Sequence, residues 1–349
     1  MRFNDTPSQN WNLLVSIVTN NSENVVEDCL KSVADATTNT EYHICVLDNH
    51  SNDRTNQLVK DNFPQVELIK SDEKRGFGRN QNDIIKKYVN RASYILILND
   101  DAFLSEGSID KMIDFMVNHP DIGAICPSLR YQDGRIQISG TSLVSVKREI
   151  IRNLGLVKIV PEKVKNYIAR LPDWLKLLFG SEIRGYLSNF DEGSSITSYR
   201  YVGNLTAACL LVRAQVLQDI GLFDDETFFM YYEDIDLSRR ISNGGWKMAV
   251  LNDVIVTHYS KRNWSTFSQI EHEKSMFKFY QKYKSPPVEI FLLALVTIIV
   301  SCAKILVTFI SKFIGQNQNN ADTIEAYLHI IENSFDVLKK LRGYAKECR

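Results

Sequence analysis

No Cys-x-x-Cys pair occurs in this chain, and its six cysteines (Cys29, Cys45, Cys126, Cys209, Cys302 and Cys348) are scattered, several inside apolar runs. That spacing excludes a disulfide frame or a cysteine-rich zinc site and reads as thiols of a reducing compartment. Net charge is lacking too. With 41 Lys and Arg against 42 Asp and Glu, no field of one sign draws the whole protein onto nucleic acid. The sequence has no internal repeat and no low-complexity tract. Met1 to Trp11 is polar and lacks the basic-then-apolar layout of a signal peptide, so the expected location is the cytoplasm. What remains is 349 residues, 44% of them hydrophobic, enough for one large domain with its own core and an appendage.

Short apolar runs at Leu13 to Thr19, Tyr42 to Leu47, Val66 to Ile69, Tyr94 to Leu98 and Ile122 to Cys126 have the length of buried strands. Between them, Val25, Val26, Cys29, Leu30, Val33 and Ala34, then Ile84, Ile85, Tyr88 and Val89, recur at helical spacing, with Ser22 an N-cap candidate for the first helix. Strands alternating with helices predict a doubly wound α/β domain, its mostly parallel sheet covered on both faces. Ser139 to Arg200 is less regular, with helical pieces at Val164 to Ala169 and Trp174 to Phe179. The sheet pattern resumes at Ala207 to Val212, Lys247 to Leu251 and Val254 to His258.

The tail differs. Ile290 to Ala303 is apolar and uncharged, and counting across Lys304 extends the stretch to Ile310, long enough to cross a bilayer. Lys274, Lys278, Lys282 and Lys284 lie just upstream, a basic flank that favours an anionic membrane face. A core helix packed on the domain is the competing reading. Ile324, Tyr327, Leu328, Ile331, Phe335 and Leu338 then form an amphipathic stripe.

In open parallel sheets, ligands bind beyond the carboxyl ends of the strands. Three apolar strands here end in Thr19-Asn20-Asn21, Asp48-Asn49-His50 and Asn99-Asp100-Asp101. Each end alone also suits a turn, but together they predict one polar crevice. Clustered acids at a buried strand tip call for a cation, and Mg²⁺ or Mn²⁺ suits such oxygen ligands while bridging to phosphate.

The runs Leu14-Val15-Ser16-Ile17-Val18-Thr19-Asn20 and Val46-Leu47-Asp48-Asn49-His50-Ser51-Asn52-Asp53 resemble the start of family 2 glycosyltransferases of the GT-A fold. Arg75-Gly76-Phe77-Gly78-Arg79-Asn80-Gln81-Asn82 is similar to that family's Asn-x-Gly-Phe segment, with Lys74 where Asn is common. Leu98-Asn99-Asp100-Asp101 matches the place of its Asp-x-Asp motif, and Gly221-Leu222-Phe223-Asp224 with Phe229-Met230-Tyr231-Tyr232-Glu233-Asp234-Ile235-Asp236-Leu237 its second signature. The bacterial rhamnosyltransferase-like branch, which builds surface polysaccharides, is the nearest in pattern.

The resemblance implies an inverting transfer of a sugar from a nucleotide diphosphate donor to a saccharide or lipid-linked saccharide, with a divalent metal, Mg²⁺ or Mn²⁺. It assigns donor binding to Thr19, Asn20, Asp48, Gly76, Phe77, Asn82 and Asp100, and metal binding to Asp101, Asn99 and His258. Asp234 is then the base, and Glu233 binds the acceptor or positions the loop. Residues 11–265 form the expected transferase domain, 11–130 its nucleotide-sugar half and 131–265 its acceptor and catalytic half. Residues 266–349 form the helical tail, with membrane contact through 290–310 at the inner face of the cell membrane. A sugar nucleotidyltransferase is the rival; it needs a Gly-rich basic loop after the first strand, which Thr19-Asn20-Asn21-Ser22 does not supply. An inactive transferase-like scaffold is the other, favoured by Asn99 and Lys74.

Overall fold

The computed structural model describes residues 11–37, 39–154, 197–260, 265–313 and 320–347. In chain order the first elements are β1 (Trp11–Thr19), α1 (Val26–Asp35), β2 (Tyr42–Asp48), α2 (Thr55–Asn62), β3 (Glu67–Lys70) and α3 (Phe77–Tyr88). Next come β4 (Ala92–Asn99), β5 (Ala102–Leu104), α4 (Ser108–Asn118), β6 (Ile122–Arg130), β7 (Gly140–Thr141) and α5 (Val146–Asn153). There follow β8 (Tyr199–Tyr201), β9 (Asn204–Leu205), β10 (Cys209–Arg213), α6 (Ala214–Ile220), α7 (Glu233–Asn243) and β11 (Lys247–His258). The tail is α8 (Thr266–Lys282), α9 (Pro287–Phe313) and α10 (Asn320–Glu347).

Two compact units hold these elements. One contains the sheet with α1 to α4, α6 and α7; the other contains α5, residues 230–232 and α8 to α10. The sheet runs β3-β2-β1-β4-β10-β6-β11-β5, with β8 added on β11. Strands β3, β2, β1 and β4 are mutually parallel, as the alternation of strands and helices requires. Leu13, Leu14, Val15 and Ile17 are wholly buried, which a strand covered on both faces demands. Strand β10 enters antiparallel between β4 and β6, so the second half of the sheet mixes directions.

Three local expectations change. Ser22 does not cap α1; the capping position is Val25, and the Ser22 hydroxyl donates to Asp100 instead. The runs at 247–251 and 254–258 are one strand, β11, whose register against β6 shifts between Leu251 and Ile255. That bulge is how a strand bends without ending. Strand β5 went unread because three residues are too few to show a period, yet it pairs antiparallel with the last residues of β11. The helical pieces expected at 164–169 and 174–179 lie outside the described residues.

In the helical unit, α9 inverts the usual polarity of a packed helix. Its buried side carries Ile290, Leu293 and Ala294 but also Thr297 and Ser301, while Phe291, Leu292, Leu295, Ile299, Leu306 and Val307 stand exposed. Thr297 accepts a hydrogen bond from Asn153 of α5 at 3.3 Å.

Candidate active site

The strand tips meet where β1 lies between β2 and β4. Thr19 is opposite Asp48 in one register and Val18 opposite Asn99 in the other. Asp48, almost fully buried, accepts from the Ser51 amide at 3.1 Å, from Asn56 Nδ2 at 2.8 Å and from the Thr19 hydroxyl at 3.4 Å. Those donors balance the cost of burying the carboxylate. Asn20 Nδ2 donates to the Asn49 carbonyl at 2.8 Å. Asn49 in turn exchanges two bonds with the Arg75 backbone, 2.9 and 2.8 Å, which ties the end of β2 to the segment leading into α3.

That segment needs glycine for a steric reason. A Cβ on Gly76 would fall 2.2 Å from the Phe229 carbonyl oxygen, the same oxygen that accepts from the Phe77 amide at 3.1 Å. Gly76 therefore admits the close passage of residue 229, which carries the second signature against the first. Asn82, expected among the donor contacts, is used differently. It is buried, and its amide pairs with both backbone polar groups of Phe223, at 2.8 and 3.0 Å. With both groups occupied it locks α3 to the loop before α7 rather than facing a ligand.

Beyond β4 the chain turns through Asp100 and Asp101 into β5, and β5 pairs His258 with Ala102. His258 Nε2 thereby stands 3.1 Å from Asp101 Oδ1 and 3.3 Å from Asn99 Nδ2. All three expected metal-binding side chains converge. On the ring's other side, His258 Nδ1 donates to Gln137 Oε1 at 2.9 Å, and Gln137 Nε2 donates to the His258 carbonyl at 2.6 Å. Sequence reading missed Gln137, as it missed Asn56 at the start of α2. Neither sits in a periodic run or a motif, so neither leaves a one-dimensional signal.

This corner fits a divalent cation in part. A carboxylate oxygen faces an imidazole nitrogen, a pairing of hard and borderline donors that suits Mn²⁺. Asn99 turns nitrogen toward the ring, so it becomes a ligand only with its amide reversed. Among the described residues no three His, Cys, Asp or Glu side chains gather as a ready ion site. One or two protein ligands are what Mg²⁺ and related ions use when phosphate oxygens supply the rest.

Glu233 and Asp234 open α7. Asp234 accepts from the Ala207 amide at 3.3 Å and the Ile235 amide at 2.8 Å. One residue on, the Ala208 carbonyl accepts from the Asn99 amide at 2.9 Å. A short chain of hydrogen bonds thus links the acid pair to the tip of β4. Burial pushes both carboxyls up; Glu233 reaches about 8, through burial first and the neighbouring Asp234 second. Asp234 resists because backbone amides stabilise its anion. Glu233 Oε2 is buried without a hydrogen-bond partner among the described residues. Burial thus favours a proton on Glu233, while the amides of Ala207 and Ile235 favour the Asp234 anion. Asp236 is fully buried and pairs with Arg240 at 2.8 Å, and Arg240 also binds the carbonyls of Ile220, Gly221 and Leu222. Its work is to hold the loop preceding the acid pair.

Residues 14–170 match the family model described as glycosyl transferase family 2. Two curated relatives from Mycobacterium tuberculosis, strains CDC 1551 / Oshkosh and ATCC 25618 / H37Rv, are each named N-acetylglucosaminyl-diphospho-decaprenol L-rhamnosyltransferase. Each is 28% identical over 231 residues, covering 63% of this chain and 68% of the relative. Among solved structures, GalNAc-T7 with UDP, GalNAc and Mn²⁺ superposes with a TM-score of 0.52 at 12% identity, covering 79% of this chain and 51% of its own. This chain thus spans about half the length of that structure. The mannosyltransferase PcManGT from Pyrobaculum calidifontis, solved with GDP-Man and Mn²⁺, gives 0.50 at 12% identity, covering 94% and 87%. At such identities these two structures speak to the fold, a GT-A-like α/β sheet flanked by helices.

Proposed function

We propose that this chain is a family 2 glycosyltransferase of cell-wall polysaccharide synthesis, as the family match and the relatives support, and that it moves a sugar with inversion from a nucleotide diphosphate donor onto a hydroxyl of a lipid-linked saccharide. The observation that carries this reading is the hydrogen-bonded path from Asp234 through Ala207 and Ala208 to Asn99, beside the Asp101–His258 pair.

In this reading Thr19, Asn20 and Asp48 line the nucleotide pocket. Gly76 and Phe77 hold the donor segment in place. Asp101 and His258 would hold a divalent ion, Mg²⁺ or Mn²⁺, with Asn99 beside them. When bound, that ion supplies positive charge against the diphosphate leaving group. Asp234 accepts the proton of the attacking acceptor hydroxyl, a role open to a carboxylate whose anion two backbone amides stabilise. Glu233, whose Oε2 has no hydrogen-bond partner among the described residues, orients the acceptor. Asp100 is held by the Ser22 hydroxyl and keeps the β4 turn in shape. The relatives' printed names support rhamnose as the sugar and an N-acetylglucosaminyl diphosphoprenol as the acceptor.

A membrane surface is the fitting home for such an acceptor. Helix α9 is long and apolar enough to cross a membrane by length and composition, and most of its apolar side chains face outward. The cytoplasmic-side location is supported by the basic flank of Lys274, Lys278, Lys282 and Lys284 that precedes α9.

The test is a transfer assay with dTDP-rhamnose, UDP-glucose, UDP-galactose, UDP-N-acetylglucosamine and GDP-mannose on a short-chain N-acetylglucosaminyl diphosphoprenol. One donor should extend the acceptor by one sugar and release nucleoside diphosphate, with the product anomer inverted by NMR. Retained configuration rejects the single displacement. Pyrophosphate release from a sugar phosphate and a nucleoside triphosphate moves the chain to the nucleotidyltransferases. No turnover with any donor favours an inactive scaffold.

A further inference from the structure

We infer that Gln137 is a positioning residue that fixes both the orientation and the tautomer of His258, so that Nε2 presents a lone pair to a cation shared with Asp101. This rests on the metal reading above and adds to it a residue outside every motif.

The Gln137 amide can lie only one way round. The His258 carbonyl is only an acceptor, so the Gln137 atom 2.6 Å from it must be the nitrogen. The Gln137 oxygen is then the atom 2.9 Å from His258 Nδ1, and Nδ1 must carry a hydrogen to meet it. The neutral imidazole consequently has its free lone pair on Nε2. That atom faces Asp101 Oδ1 at 3.1 Å. A carboxylate oxygen and a nitrogen lone pair repel at that separation unless a proton or a metal ion lies between them. Histidines that bind metals commonly donate the other ring N–H to a carbonyl-type oxygen, which sets the tautomer and raises ligand basicity.

Gln137 is itself held to do this. It is 7% exposed. Its backbone N–H donates to the Leu129 carbonyl at 2.8 Å, and the neighbouring Ile136 bridges to Arg130. Leu129 and Arg130 end β6, where they lie opposite Val256 and Thr257 of β11. The chain after β6 thus folds back along its own strand and delivers Gln137 to the end of the adjacent one. Both partners hang from one ladder, and the bond to the His258 carbonyl holds the Gln137 amide so that its oxygen meets Nδ1; turning the ring breaks that second bond.

The experiment uses the full chain and two readouts. Ring ¹⁵N shifts of His258, assigned by their loss in His258→Gln, report the tautomer without Mn²⁺. Mn²⁺ titration followed by electron paramagnetic resonance, with UDP present and absent, reports affinity. The unaltered chain should show Nδ1 protonated in every state and Nε2 bare once Mg²⁺ and UDP are bound. Gln137→Leu should mix the tautomers and weaken Mn²⁺ by about 10- to 100-fold, the usual effect of removing such a partner. Gln137→Glu keeps an oxygen facing Nδ1 and should retain most of the affinity. Melting temperatures identify variants that fail to fold, and if Gln137→Leu does, the unaltered chain's ring shifts and Gln137→Glu decide the matter. A bare Nδ1 in the unaltered chain overturns the inference, as does Gln137→Leu with unchanged tautomer and Mn²⁺ affinity. Mn²⁺ binding indifferent to both His258→Gln and Asp101→Asn overturns the shared cation and the metal reading with it; the ring shifts then judge the orienting role alone.

Discussion

His258 Nε2 lies 3.1 Å from Asp101 Oδ1 because three residues of β5 pair with the last three of β11. The acid comes from the tip of β4, a parallel strand of the first half of the sheet. The imidazole comes from the far end of the longest strand of the second half. The register His258 to Ala102 sets their separation, so a slip of one residue would turn the ring to the opposite face. The pairing ties the turn after β4 to the end of β11.

Replacing Asp234 with Asn should remove the base while keeping one of the two backbone contacts, since the amides of Ala207 and Ile235 donate to different carboxylate oxygens and Asn offers one. Transfer should fall by about 10²- to 10⁴-fold, the usual contribution of general base catalysis. Thermal stabilisation by UDP with Mn²⁺ should persist. Steady-state rates beside thermal shifts separate the two effects, and full activity in the variant refutes the assignment.

Asp101→Ala should abolish the Mn²⁺-dependent part of nucleotide stabilisation. A ligand at about a hundred times its dissociation constant stabilises a fold by about 2.7 kcal/mol through mass action, well within the reach of a thermal-shift measurement. His258→Gln should give a partial loss, since it leaves the carboxylate in place.

The tip residues were legible because each of β1, β2 and β4 is a continuous apolar run that stops at an amide or an acid, and a sheet of parallel strands gathers such ends on one edge. Asp48, Asn99 and Asp101 stand at or just past such ends, whereas Glu233 and Asp234 open α7 and are marked by the motif they share. Gln137 and Asn56 were not legible. Their importance lies in which atoms face them across strands, and no local spacing encodes that. Asn82 misled because a buried amide inside a motif looks the same in one dimension whether it binds a ligand or, as here, the backbone of Phe223. Strand β5 was lost to length alone.

Stability should fall with pH through Glu233. Folded, its carboxyl titrates near 8 rather than near 4.5, because burial and Asp234 oppose its ionisation. Between those values the folded chain keeps a proton that the unfolded chain has released. The stabilising contribution is therefore complete below about 4.5 and is lost as pH climbs to about 8. Glu233→Gln fixes the neutral form, so its advantage over the unaltered chain should grow across that window. Urea unfolding of both proteins at about pH 5 and about pH 8.5 reads the difference. Equal differences at the two pH values count against it.

Gly76→Ala should destabilise the fold by about 1–3 kcal/mol, the cost of forcing extra atoms into a packed site. The added carbon would meet the Phe229 carbonyl at 2.2 Å and break the bond that this carbonyl accepts from Phe77. Chemical denaturation measures the loss, and donor binding should weaken with it.

Helix α9 should mediate attachment to lipid through its outward side chains. Ile299→Glu or Leu292→Glu places a charge on an exposed apolar position without entering the packed side. Flotation with vesicles containing anionic phospholipid should show reduced attachment while the melting temperature holds. Unchanged flotation would separate α9 from membrane binding.

The most direct measurement is a crystal structure of the chain with UDP and Mn²⁺, with the manganese located by its anomalous scattering. One ion is expected at Asp101 and His258, touching the diphosphate, with the base near Asp48 and the Asp234 carboxylate open to the sugar side. Manganese elsewhere, or a nucleotide bound away from Asp48, would contradict the account.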